Sequence, residues 1–185
     1  MSRTRNKIVN DIMGAIIMVA NTRMVKLAKA EADPVAEPEV IREDPRANVP
    51  YLYILMRNDL ESLTGSNFNS VGKAVAQGSH AANKMVHDAI IKGKSNTALR
   101  DLLIEWSTEA NGFGTCIVLS VNEEQMRQTV SKAKENGLHA GITHDPTYPL
   151  RDGQSFHLIP LDTCAYVFAR KADAKPYVGS FSLMP

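Results

Sequence analysis

Cysteine is scarce in this chain. Its two cysteines, Cys116 and Cys164, stand far apart in the apolar runs GTCIVLS and DTCAYVF. Neither has a neighbour at redox or metal-ligand spacing, so buried reduced thiols are expected and a disulfide scaffold is not. No CxxC or HExxH pattern occurs, which leaves a metal site unsupported, and no cofactor is expected. Long apolar runs are missing too. The longest, MGAIIMVA from Met13 to Ala20, falls well short of the roughly 20 residues a spanning helix needs. Charge of one sign does not dominate. A net charge of +1 argues against a wholesale polyanion binder, and no DNA partner is expected, although a local basic patch stays open. The pattern GxxxxGK[ST] is absent, so there is no P-loop.

What is present is enough for one domain with an appendage: 185 residues, 44% of them hydrophobic. Residues 1–32 carry Val9, Ile12, Met13, Ile16, Ala20 and Leu27 at helical spacing. Arg3, Arg5, Lys7, Arg23, Lys26 and Lys29 accompany them, with Asp11 the lone acid before Glu31. Such a basic amphipathic helix packs on its own domain or a second copy, docks on a partner or membrane surface, or targets a mitochondrion. The compartment expected is the cytoplasm, or the mitochondrion if residues 1–30 act as a targeting helix. Residues 33–50, DPVAEPEVIREDPRANVP, are rich in proline and acid and read as an extended linker.

The folded domain is expected over residues 51–185. YLYILMR is nearly all apolar and suits a strand covered on both faces. A helix is expected from Val71 to Ile91, capped by Ser70, and a second from about Thr97 to Ala110, stopped by NGFG. TCIVLSV is the second strand, and Asn122 caps the helix EEQMRQTVSKAKENG. LHAGITH is a short third strand ending at Asp145, DPTYPLRDGQSFHLIPLD a loop, and TCAYVFAR the fourth strand. This alternation predicts an α/β domain in three layers: a four-stranded, mixed or mostly parallel sheet with helices on both faces.

The helix from Val71 carries the chemistry. Lys73, Gln77, His80, Lys84 and His87 fall nearly in line at about 100° per residue. Val75, Ala82, Val86 and Ala89 form the other side, expected against the sheet. Gly72-Lys73 at the helix start suits an anion, since free N–H groups, the helix dipole and the ammonium act together. His80 is a candidate general base or phosphate contact, and Asp145 a carboxylate that orients water or holds Lys73 or His80. Arg57 and Arg151 could add phosphate contacts. For each residue taken alone, a solvated surface group or turn former is the bland alternative.

Taken together, LMRNDL, GKAVAQGSHAA and a strand ending in Asp145 resemble the type-2 peptidyl-tRNA hydrolase family. Its strand ends in Arg-x-Asp-Leu, and its helix opens with Gly-Lys-hydrophobic-Ala-x-Gln-x-(Ser/Cys)-His-Ala. Gly72, Lys73, Ala76, Gln77, Ser79, His80 and Ala81 all agree with that motif. The resemblance covers about residues 51–170. It implies a mixed four-stranded sheet between helices, metal-independent hydrolysis of the ester joining peptide to tRNA, and a homodimer. It maps the catalytic groups onto Lys73 and Asp145, with His80 beside them, and puts Gln77 near the substrate. Lys84, His87, Arg57 and Thr147 are expected to contact substrate as well. One segment departs from the family, which reads Asp-Ala-Gly-x-Thr-Gln where this chain reads DPTYPLRDGQSFHL. Thr147 and Pro149 occupy the Gly and Thr positions. That departure motivates a second reading, a non-catalytic module that binds RNA or a partner on the same fold.

Overall fold

The computed structural model describes residues 44–60, 71–152 and 154–185, without the side chains of Arg151, Asp152 and Phe156. The expected N-terminal helix, the linker up to residue 43 and the Ser70 cap lie outside the described residues. Strand β1, Pro50–Arg57, is buried at every position. Helix α1, Val71–Gly93, is followed by α2, Thr97–Thr108, and a 3-10 turn, Glu109–Gly112. Strand β2, Thr115–Val121, leads to α3, Glu123–Glu135. Strands β3, His139–Asp152, and β4, Ser155–Arg170, precede α4, Lys171–Val178. None of the described helices is long and apolar enough to cross a membrane.

The sheet has the order β2-β1-β4-β3. Alternation along β1 divides the core into two layers, as a side-chain period of two requires. Tyr51, Tyr53 and Leu55 pack with Met126, Val130 and Ala133 of α3 and with Ala174 and Val178 of α4. Leu52, Ile54 and Met56 pack with Ala81, Met85 and Ala89 of α1 and with Leu99 and Trp106 of α2. The three layers expected from sequence are therefore present. The sheet is mixed, and parallel pairing among these strands is confined to β1 with β2. β4 runs antiparallel to both of its neighbours.

The helix ends follow local chemistry. The Asn122 side chain accepts from the Gln125 N–H at 2.8 Å, and the Gln125 side chain accepts from the Asn122 N–H at 2.9 Å. This reciprocal cap contributes about 1 kcal/mol. Asn96 caps α2 through the Leu99 N–H at 3.0 Å. Beyond α2 the chain reverses through left-handed backbone at Ala110 and Asn111. Gly114, at φ +66°, lies so close under the Trp106 ring that a Cβ there would stand 2.3 Å from it.

Three sequence expectations change. The segment expected as a loop after Asp145 is instead paired β-structure, with β3 and β4 continuing as a two-stranded arm to Asp152 and Ser155. Its prolines point to a loop, since Pro usually breaks a strand. Here β3 is an edge strand, and Pro146 sits in a bulge between the pairs Asp145–Leu161 and Tyr148–Ile159, where no ladder donor is needed. Pro160 lies opposite that bulge, before β4 begins to pair with β1 at Cys164. The second change concerns Cys116, which is exposed on the edge strand β2, whereas Cys164 is buried as expected. The third is the seating of α1. Its buried residues are Gln77, Ala81, Met85, Ala89 and Gly93, so Val75, at 63% exposed, is not on the sheet side.

A buried histidine sits where β3 starts. His139 is 7% exposed. Its Nε2 lies 3.3 Å from the Met85 carbonyl and donates to it, and its ring leans on Tyr166 with centroids 5.2 Å apart. Burial pushes its pKa below the ordinary value, against the opposing pull of the Met85 carbonyl. The folded state therefore resists a proton that the unfolded chain accepts. Stability is full above the unfolded value near 6.5 and is lost as pH falls from there through the lower folded value. Thermal melts from pH 7.5 to 5 are expected to show a falling Tm that His139→Gln flattens.

Candidate active site

The site forms where the first turns of α1 meet the bulge of β3. Gln77 is buried and placed between two partners. The Thr163 hydroxyl, fully buried on β4, donates to Gln77 Oε1 at 2.5 Å. Gln77 Nε2 then donates to Asp145 Oδ2 at 2.8 Å. The other carboxylate oxygen of Asp145 accepts the Thr147 N–H at 3.0 Å. The amide thus has its oxygen satisfied by a hydroxyl and its nitrogen aimed at a carboxylate, so neither the Gln77 rotamer nor the carboxylate plane is free to turn. Cys164 Sγ adds a contact to the Gln77 backbone carbonyl at 3.3 Å.

Lys73 stands one helical turn before Gln77. Its ammonium donates to the Pro149 carbonyl at 3.1 Å and lies 5.1 Å from the centre of the Tyr148 ring. A cation and a carboxylate are therefore brought to one edge by adjacent turns of one helix acting on one strand. Gly72 is exposed, and a Cβ there would meet nothing within 4 Å.

The remaining candidates are arranged differently from expectation. His80 is exposed and lies seven residues along α1 from Lys73, roughly 10 Å along the axis. Lys84 pairs with Asp88 at 3.1 Å, and His87 Nδ1 lies 3.6 Å from the same carboxylate. The basic row thus carries an acid of its own. For Asp88, burial alone would raise the carboxyl, but hydrogen bonds from Tyr166 and Lys84 outweigh it and hold the group below the usual range. Gln77 does not belong to the exposed row, because it faces the sheet. Thr147 is exposed and serves Asp145 through its backbone N–H.

Arg57 differs most. It is 1% exposed, whereas a phosphate contact needs an open guanidinium. Its Nε and Nη2 donate to the two oxygens of Asp59 at 2.8 and 3.2 Å. Nη2 also pairs with Glu123 at 3.0 Å, and Nη1 donates to the Asp162 carbonyl at 3.1 Å. Asp59 additionally accepts the Glu123 N–H at the start of α3, at 3.1 Å. Burial would raise the Asp59 carboxyl, but Arg57 and that N–H together lower it. Leu60 is buried with Tyr148, next to Leu150, Ile159 and Leu161. The Arg-Asn-Asp-Leu segment is thus a joint. Its charges tie β1 to α3 and β4, and its leucine supports the arm that carries Tyr148.

Thr163 and Tyr148 are site residues that sequence reasoning missed. Thr163 follows an acid in a strand-like run, where a hydroxyl has no helical or charge pattern to mark it. Tyr148 falls where the prolines predict a loop, and only its pairing with Ile159 places it on β3. Among the described residues, no group of three or more His, Cys, Asp or Glu side chains is gathered to hold a metal. No curated protein matches the chain. A family model described as peptidyl-tRNA hydrolase PTH2 matches residues 51–184.

Proposed function

Because the chain belongs to the peptidyl-tRNA hydrolase PTH2 family, we propose that it cleaves the ester between a peptide and the 3′ ribose of tRNA without a metal. The observation that carries this reading is the Asp145 carboxylate held by Gln77 at 2.8 Å, one helical turn from Lys73 on the same edge. An ester is activated towards water, so an oriented water and a cation for the oxyanion suffice. Asp145 orients the attacking water and takes its proton. The water oxygen bonds to the ester carbonyl carbon, and negative charge gathers on the carbonyl oxygen. Lys73 stabilises that charge, helped by the N–H groups of the first turn of α1. Collapse breaks the bond to the ribose oxygen, which leaves with a proton as a free hydroxyl. The products are a peptide acid and tRNA.

His80, Lys84 and His87 continue outward from Lys73 along α1. In this reading they meet phosphates of the acceptor end, and His80 is a binding residue more than a base. Phosphate contacts make association salt-dependent. Raising salt is expected to lower kcat/KM, and Lys84→Ala to reduce the log–log slope by about 0.7 to 0.9. A slope equal to wild type would remove Lys84 from the RNA path.

One observation favours the second reading, a binding module without chemistry. Lys73 is already engaged by the Pro149 carbonyl and the Tyr148 ring, so the arm after Asp145 occupies the side of the ammonium that it covers. Peptide release from purified peptidyl-tRNA decides between the two. Release above the no-protein rate supports the hydrolase. Saturable RNA binding with no release supports the module.

A further inference from the structure

The bulge in β3 does more than accommodate Pro146. In a regular strand Asp145 and Tyr148, an odd number of residues apart, point to opposite faces. Here two residues, Pro146 and Thr147, are spaced against one on β4, and the register resumes at the pair Tyr148–Ile159. The extra residue brings both side chains towards α1. Asp145 meets Gln77, and Tyr148 meets Lys73 one helical turn earlier. One turn of helix is thereby matched to one bulge of strand.

We propose that Tyr148 is the positioning residue for Lys73, its ring face holding the ammonium at the edge where Asp145 stands. This rests on the hydrolase reading given above. Tyr148 is 2% exposed and is held in place by Leu60, Leu150, Ile159 and Leu161, so the ring is a fixed platform. A lysine side chain has several rotatable bonds and no preferred seat of its own. An aromatic face within about 6 Å attracts the ammonium while leaving it N–H donors to direct elsewhere. The Pro149 carbonyl, next on the arm, takes one of those donors in the present arrangement. The phenol itself is not the acting group. Burial, with the charge of Asp145 adding to it, pushes its pKa to about 12, so it stays neutral. The arm after Asp145 thus supplies the seat for the lysine.

The test uses the full chain and two readouts. The first is NMR of the Lys73 Cε methylene, assigned by its loss in Lys73→Arg. A ring beneath it displaces these protons upfield. The displacement is expected in wild type and Tyr148→Phe and is expected to vanish in Tyr148→Leu. The second is peptide release. Tyr148→Leu is expected to lose roughly tenfold in kcat, the equivalent of about 1.4 kcal/mol of cation–ring contact, with KM little changed. Tyr148→Phe should restore the rate. A wild-type Cε shift at the ordinary lysine position overturns the proposal, and needs no variant that might unfold. Equal losses in Phe and Leu variants also overturn it, because the hydroxyl or the fold would then be responsible. Absence of any release by wild type defeats the hydrolase reading alone, and the NMR shift still decides whether the ring seats the lysine.

Discussion

Lys73→Ala is expected to lower the rate of peptide release by about 10²–10³-fold, the usual effect of removing one oxyanion-stabilising group. Its Tm should stay close to wild type. The side chain is only half-buried, and neither the Pro149 carbonyl nor the Tyr148 ring face is left as a stranded charge when it goes. Asp145→Ala should lose a similar factor in rate but also some stability, because it strands the buried Gln77 amide and removes the acceptor of the Thr147 N–H. Residues that act on one transition state are not additive. The double variant should therefore be little slower than the worse single one. Rates equal to wild type in both single variants would end the catalytic assignment of Lys73 and Asp145.

Arg57→Ala is expected to cost about 3 kcal/mol of stability, the lower end of the range for breaking a buried ion pair. The lower end applies because Asp59 and Glu123 are partly exposed, at 30% and 40% of their side chains, and water recovers part of their charge. For a domain of this size that is a drop in Tm of roughly 6–12 °C. The damage should be directional. Arg57 ties the end of β1 to the first turn of α3 and to the Asp162 carbonyl. The adjoining Leu60 supports Tyr148, so loosening the joint should also disturb the seat of Lys73. Hydrogen exchange would localise the change to the start of α3 and the base of the arm. Salt dependence of tRNA binding is the contrasting measurement. An arginine on the RNA path would reduce its slope, whereas one buried in a joint leaves it unchanged.

Placing a motif on the correct element proved easier than telling which way it faces. The helix is where the sequence puts it, and Lys73, His80 and Lys84 do share its outer side, but Gln77 does not. A helical repeat, however, states only the angles between side chains, not which angle meets the sheet. The buried line through Gln77, Ala81, Met85 and Ala89 runs between the polar row and the apolar row read from sequence. Gln77 turns inward because Thr163 and Asp145 give its amide partners there, a fact located on two other strands. The reversal for Arg57 has the same origin. A lone arginine at a strand end resembles a surface residue until Asp59, Glu123 and Asp162 are seen to enclose it.

The sequence alone determined the α/β alternation, the buried strand β1, the Asn122 cap and the helix that carries Gly72-Lys73 in its first turn. These depend on periodicity and on hydrogen bonds that close within a few residues, so a short window contains all the information. The tertiary structure alone decided that the segment after Asp145 is a paired arm, that its bulge turns Asp145 and Tyr148 to the same helix, and that Thr163 stands behind Gln77. Each of those depends on pairing between residues far apart in the chain. Proline and threonine carry no local mark of such a role, and only the partner strand tells whether a missing N–H or a buried hydroxyl is tolerated.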